Sequence, residues 1–185
     1  MRKILLGTIC LIVMASCKNE PEKTTQTAMT GDTEKREKAP GPVEFADQKY
    51  IDMGKASLAK FASGDIDGWV SGMADNAVLR WSAGDSIKGK DAIAKYWKDR
   101  RMNVVDSLET SKEIWLPVNV HQPQSVETKG IWLLTWYQVH ATYKNKQSLT
   151  FWVHMDMHYN NDNLVDECIQ YVDRAPINAA LAKKK

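Results

Sequence analysis

The segment 148–159 carries the side chains of this sequence best suited to chemistry. Its residues alternate, so that His154, Asp156 and His158 share one face of a predicted strand with Trp152. The opposite face is apolar and consists of Phe151, Val153, Met155 and Met157. A carboxyl group beside an imidazole can transfer a proton to or from a substrate, and burial would raise the pKa of that acid. We therefore take Asp156 as a candidate acid or base and His154 or His158 as its partner.

The same face is compatible with three other interpretations. It can be a polar stripe in contact with solvent, the seam of a homodimer, or a metal site. The His-x-Asp-x-His pattern offers ligands suited to zinc. However, the ends of this pattern lie about 13 Å apart on a flat strand, which is too wide for one ion. We predict neither a metal nor a cofactor.

Aromatic and polar residues on the predicted strands could line a ligand pocket. Tryptophans at this density suit a flat or apolar ligand, although any single one of them is more often a core residue. A turn that pairs Asn160 with Asn163 would place Asp156 opposite Glu167 and His158 opposite Val165. The candidate ligand-binding residues are Trp81, Trp136, Gln138, His140, Trp152 and Glu167.

Two periodicities predict the elements that must position these side chains. Apolar residues at helical spacing indicate a first helix from Phe45 that ends at Gly64, a second over 66–73 capped by Asp65, and a third from Asp91. Residues 77–81 read as a strand between the second and third helices. After Arg101 the period changes to two. The predicted strands cover 111–120, 128–143, 148–159 and 164–173. Helices followed by an antiparallel meander indicate an α+β domain.

Three segments carry a resemblance to a known family. They are Gly64-Asp65-Ile66-Asp67-Gly68-Trp69, Met73-Ala74-Asp75-Asn76-Ala77-Val78 and Ile87-Lys88-Gly89-Lys90-Asp91-Ala92-Ile93. Their order and spacing resemble the SnoaL-like domains of the nuclear transport factor 2-like superfamily, over roughly Tyr50–Asp173. The resemblance implies a curved antiparallel sheet around N-terminal helices, a cone with an internal pocket, and sheets that often pair back to back. The superfamily includes isomerases, cyclases, hydrolases and binding modules, so the fold does not select a function.

The N-terminus predicts a membrane anchor. Arg2 and Lys3 precede the apolar run 4–15, which is shorter than the ~20 residues that span a bilayer. The run leads into Met14-Ala15-Ser16-Cys17, which resembles a bacterial lipobox. We expect residues 1–16 to be a signal peptide and Cys17 to be acylated, so that the protein is bound to a bilayer of the cell envelope. Cys168 would then be the remaining free thiol.

The rest of the chain divides by composition. Residues 17–44 lack aromatic residues and are rich in Lys, Glu, Thr and Pro, which indicates a disordered tether. We predict a folded domain over 45–174 and a short tail over 175–185. The net charge of +2 gives no reason to expect a nucleic-acid partner.

These observations predict a lipid-anchored envelope protein with one pocket domain. We expect the pocket to bind a small apolar or aromatic ligand, or a protein partner, without catalysis. The alternative is a cofactor-independent isomerase, cyclase or hydrolase that uses the pair of Asp156 with His154 or His158.

Overall fold

The computed structural model describes residues 41–123 and 128–182. The predicted signal peptide, Cys17 and nearly all of the predicted tether lie outside these residues. The helices are α1 (Lys49–Ser63), α2 (Ile66–Val70), α3 (Lys90–Asn103) and α4 (Arg174–Ala182). The strands are β1 (Val43–Phe45), β2 (Met73–Trp81), β3 (Ser86–Lys88), β4 (Val105–Val120), β5 (Gly130–Tyr143), β6 (Ser148–Tyr159) and β7 (Val165–Tyr171). Within the described ranges, no helix has the length and apolar character needed to cross a membrane.

One curved sheet of seven strands forms the frame of the fold. The strands lie in the order β1-β4-β5-β6-β7-β2-β3. Strands β4 to β7 form the predicted antiparallel meander, while β2 joins β7 in parallel. The sheet and the four helices of the described residues confirm the predicted α+β class.

The sequence signals at the first two helices act as predicted. Gly64 ends α1 in the left-handed conformation, with φ of 89°, which a residue with a side chain rarely adopts. The carboxylate of Asp65 caps α2 by accepting a hydrogen bond of 2.8 Å from the Gly68 amide. Helix α1 lies directly on the sheet, because a Cβ at Gly54 would come within 2.5 Å of the Leu133 side chain.

The two faces of the sheet have different surroundings. Odd-numbered residues of β5 and β6 point towards the helices, as the buried core residues Leu133, Tyr137 and Val153 show. We call this the inner face, and we call the face with the even-numbered residues of β5 and β6 the outer face. Facing residues on the neighbouring strands continue both faces, since paired residues of adjacent strands lie on the same side.

Several predicted boundaries were wrong. Phe45 belongs to strand β1 rather than to the first helix, and β1 also takes Val43 and Glu44 from the predicted tether. Met73 starts β2 rather than ending α2, and β4 begins at Val105, six residues before the predicted start at Ser111. Residues 175–182 of the predicted tail belong to α4, which begins at Arg174.

The predicted register between β6 and β7 was also wrong. Asp156 lies opposite Ile169, and His158 lies opposite Glu167. The difference comes from a wider turn, in which Asn163 adopts a positive φ of 56°, and from a bulge next to Tyr159. The total shift is two residues, so Asp156 and Glu167 still share a face.

Candidate functional site

An aromatic cavity lies between the helices and the inner face of the sheet. Its volume is about 180 Å³, which is slightly larger than an apolar cavity that can hold benzene. A second cavity of about 20 Å³ lies next to it and shares Phe61, Trp97, Tyr137 and Gln170 as wall residues. Aromatic side chains dominate the wall of the larger cavity: Phe61, Trp81, Tyr96, Trp97, Tyr137, Tyr143 and Phe151.

Few polar groups reach the cavity walls. Gln170 is 8% exposed and accepts a hydrogen bond of 2.7 Å from the Trp81 indole. Burial raises the pKa of Tyr137 well above that of an ordinary phenol, so this side chain stays neutral. The indole nitrogen of Trp97 and the hydroxyl of Thr135 are buried and make no hydrogen bond within the described residues. Both groups line the smaller cavity and can interact with a polar atom there.

Two arginines complete the wall of the larger cavity. Arg174 makes two hydrogen bonds of 2.8 Å to the carboxylate of Asp85. The guanidinium of Arg100 lies over the rings of Tyr96 and Trp97, at 5.6 and 5.9 Å from their centroids. These distances are typical of cation–π contacts.

The predicted acid–base pair lies on the outer face, on the other side of the sheet from this cavity. Asp156 Oδ1 and His154 Nε2 are 3.0 Å apart, so these two groups are neighbours as the alternation along the strand predicted. The His154 ring stacks against Trp136 and Tyr171, with centroid distances of 4.3 and 5.2 Å. Its Nδ1 lies 3.0 Å from the carbonyl oxygen of Thr135, which fixes the ring orientation.

Asp156 occupies a partly desolvated position. Its side chain is 17% exposed, and its Oδ1 makes no hydrogen bond of good geometry within the described residues. Burial raises the pKa of Asp156, and the nearby charge of His154 opposes this effect only in part. The carboxylate is therefore less stable here than in water.

His158 pairs with a different acid. Its Nδ1 lies 2.6 Å from Asp166 Oδ1, and its Nε2 lies 3.3 Å from the carbonyl oxygen of Lys129. The ring approaches the backbone so closely that a Cβ at Gly130 would lie 2.9 Å from Nε2. Gly130 has a positive φ of 125°, which side-chain-bearing residues rarely adopt. Glycine at this position therefore permits both this backbone conformation and the close approach of the His158 ring.

The other candidate residues divide between the two faces. Trp81 lines the aromatic cavity. Glu167 forms an ion pair of 2.6 Å with Arg80, and His140 contacts the Thr150 hydroxyl at 2.9 Å. Both of these contacts lie on the outer face, which also carries Trp136, Gln138 and Trp152. No group of three or more His, Cys, Asp or Glu in the described residues is placed to hold a metal ion.

Sequence reasoning missed most of the cavity wall. The missed residues include Tyr137 on β5, Gln170 on β7, and Tyr96, Trp97 and Arg100 on α3. A usable signal existed, because Tyr96 and Trp97 precede Arg100 by four and three residues and therefore lie on the same side of a helix.

Comparison with known proteins identifies solved structures with a similar fold. A scan against protein-family models and a search of curated proteins found no match. A proposed polyketide cyclase from Xanthomonas campestris superposes with a TM-score of 0.59 at 13% identity, covering 73% of this chain and 98% of that chain. An NTF2-like protein of unknown function from Burkholderia pseudomallei gives a TM-score of 0.58 at 12% identity, with coverages of 74% and 100%.

A third solved structure has an assigned activity. This LEH-like epoxide hydrolase from M. tuberculosis gives a TM-score of 0.52 at 16% identity, covering 71% of this chain and 87% of that chain. Identities this low show the fold alone. The chain therefore has the nuclear transport factor 2-like fold that the sequence predicted, a curved sheet around helices that is compatible with a ligand-binding pocket or an enzyme.

Proposed function

We propose that the domain binds a small aromatic or apolar molecule in its internal cavity and does not transform it. The observation that carries this proposal is the aromatic wall of a partly enclosed cavity of about 180 Å³ between the helices and the sheet. Such concave, mostly apolar sites with a few polar groups are typical of small-molecule binding.

The chemistry of the wall favours binding over catalysis. Among the described residues, the lining of the larger cavity includes no carboxylate, imidazole or thiol. General acid–base catalysis most often uses such a group within hydrogen-bonding distance of the substrate. Two tyrosines of the wall, Tyr137 and Tyr143, are poor bases because burial raises the pKa of both phenols. Asp156 and His154 do not supply it, because the sheet separates them from the cavity. An enzyme that uses this pair would need its substrate on the outer face.

Two buried donors support a ligand with a polar atom. The Trp97 indole can only donate, and leaving a buried donor unpaired costs about 1–3 kcal/mol. Thr135 is fully buried and adds a hydroxyl beside the same small cavity. Trp97 also lines the larger cavity, so a carbonyl or hydroxyl oxygen of a molecule bound there could accept a hydrogen bond from its indole.

The proposal can be tested by isothermal titration calorimetry with 2-naphthol, a neutral two-ring probe. We expect saturable binding to the full chain. Val139→Phe, which puts a larger side chain into the cavity wall, should weaken binding at least tenfold. Gln138→Phe is the matched control, because it places the same ring one residue away on the outer face and should bind as the wild type does. Equal binding by both variants would contradict the proposal.

We also propose that the outer face is the seam of a homodimer. Six large hydrophobic residues of the described chain are markedly exposed, and all but Met102 lie on this face: Val43, Phe45, Ile114, Trp152 and Tyr171. An exposed apolar surface of this kind is typical of an interface. A second copy would also cover the partly desolvated Asp156.

Sedimentation velocity tests the dimer. We expect a dimer for the wild type and a monomer for Trp152→Glu, because a two-fold interface would bury the introduced charge twice. Met102→Glu adds the same charge elsewhere and should remain dimeric. A monomeric wild-type protein at micromolar concentration would rule out this interface.

We further propose that acylation of Cys17 holds the protein on a membrane of the bacterial envelope. Acyl chains contribute about 0.8 kcal/mol per buried CH₂, so two or three chains anchor a protein stably. In cell fractionation, Cys17→Ala should move the protein to the soluble fraction, whereas Cys10→Ala should stay with the membrane. Membrane retention of Cys17→Ala would refute the anchor.

A further inference from the structure

The charge of Arg100 distinguishes one part of the cavity wall. This residue lies in the last turn of α3, and its half-buried side chain lines the aromatic cavity. No carboxylate of the described residues comes within ion-pair distance of it, and its guanidinium makes no hydrogen bond to them. Cation–π contacts with Tyr96 and Trp97 hold the charged group at the wall, and its N–H groups are available to a ligand.

The second arginine of the wall differs in this respect. Arg174 is neutralised by Asp85 through two hydrogen bonds of 2.8 Å. The larger cavity therefore has one uncompensated positive charge among its described lining residues and no negative one. Water screens charges poorly inside a partly enclosed apolar site, so this charge favours a bound anion.

The guanidinium also selects the shape of that anion. Its planar fork of N–H donors matches a carboxylate, which can accept two parallel hydrogen bonds. The space beside it is limited, because about 180 Å³ corresponds to one or two aromatic rings rather than to a long chain or a polycyclic molecule.

We infer that the ligand of this cavity is a one- or two-ring aromatic acid. Its ring packs among Trp81, Tyr137 and Phe151, and its carboxylate binds Arg100. This inference rests on the proposed binding function and adds the chemical class of the ligand.

Calorimetric titration of the full chain with 2-naphthoate and 2-naphthol at pH 7 tests the inference. The two probes share their rings, but only 2-naphthoate is an anion at this pH. We expect 2-naphthoate to bind at least tenfold more tightly. Arg100→Gln should remove this preference, because it should weaken 2-naphthoate at least tenfold more than it weakens 2-naphthol. Arg80→Gln removes the same charge on the outer face and should keep the preference.

The possible results distinguish failure of this inference from failure of the proposed binding function. Equal affinity of the wild type for both probes would overturn the aromatic acid and leave the binding function intact. Persistence of the preference in Arg100→Gln would overturn the role of this arginine. If neither probe binds, the binding function and the inference both fail.

Discussion

At the scale of single residues, the outer face holds a carboxyl group that is destabilised by its surroundings. Burial raises the pKa of Asp156 in the folded protein, although the charge of His154 acts in the opposite direction. The folded protein therefore binds more protons than the unfolded chain between the unfolded pKa of about 3.8 and the higher folded pKa. The contribution of Asp156 to stability is most favourable below this window and is lost as the pH rises through it.

This reasoning predicts the effect of Asp156→Asn. The amide has nearly the same shape but never ionises, so the variant should be more stable than the wild type at pH 7. The difference should shrink as the pH falls towards 3.8, the ordinary pKa of this side chain. Urea unfolding at a series of pH values measures this difference in the free energy of unfolding. As a control, Asp162→Asn in the exposed turn should show the same pH dependence of stability as the wild type. A variant that is less stable at pH 7 would show that the ion pair with His154 outweighs the cost of burial.

Another residue-scale prediction concerns Cys168. The thiol is 3% exposed, and burial together with the charges of Glu167 and Asp166 raises its pKa to about 12. Because the thiolate is the reactive form, the folded protein should resist thiol reagents at pH 8. In a Cys10→Ala/Cys17→Ala variant, Ellman's reagent should react slowly in buffer and promptly in 8 M urea. Rapid labelling of the folded protein would contradict this.

At the scale of elements, α1 can lie on the sheet only because its central residue is small. A Cβ on Gly54 would be 2.5 Å from Leu133 Cδ2 and 2.8 Å from Trp115 Cζ3, and Leu133 is fully buried. Gly54→Ala should therefore lower the free energy of unfolding by about 1–3 kcal/mol, although alanine is the better helix former. Gly72→Ala is the control, since its nearest contact would be an ordinary 3.7 Å. A stabilised Gly54→Ala would mean that the helix moves away from the sheet at little cost.

Local sequence signals predicted an element well where the signal depends only on residues within that element or next to it. The helix stop at Gly64 and the cap at Asp65 depend on nearby backbone only, and both are confirmed. Strand β1 was missed because three residues, Val43–Phe45, are too few to show a period. The register of β6 on β7 was missed because a bulge next to Tyr159 leaves no periodic signal.

At the scale of the whole molecule, the sequence predicted the architecture but did not indicate that the inner face carries an aromatic cavity. Alternation along β6 correctly grouped His154 with Asp156, but it does not determine which face meets the helices. The aromatic cavity lies on the inner, apolar face and takes residues from three helices and from five strands. The spacing of Tyr96, Trp97 and Arg100 groups them on one side of α3, but it does not determine that this side meets a cavity.

The C-terminal helix completes both the core and the cavity. Ile177, Ala180 and Leu181 of α4 pack on the buried cluster around Tyr143, and the Asn145 side chain donates a hydrogen bond of 2.9 Å to the carbonyl oxygen of Ala180. The same helix supplies Ile177 and Asn178 to the cavity wall. One element therefore contributes to both the core and the cavity wall.

Truncation after Asp173 should consequently weaken both stability and ligand binding. Loss of Ile177, Ala180 and Leu181 would expose the apolar cluster around Tyr143 and should lower the free energy of unfolding by about 2–4 kcal/mol in urea titrations. Removal of one wall should also reduce the affinity for 2-naphthol, because the probe then loses contacts and gains water on that side. Truncation after Ala182 removes only three lysines and should change neither value. Unchanged binding in the chain that ends at Asp173 would place the ligand away from α4, deeper between α1 and the sheet.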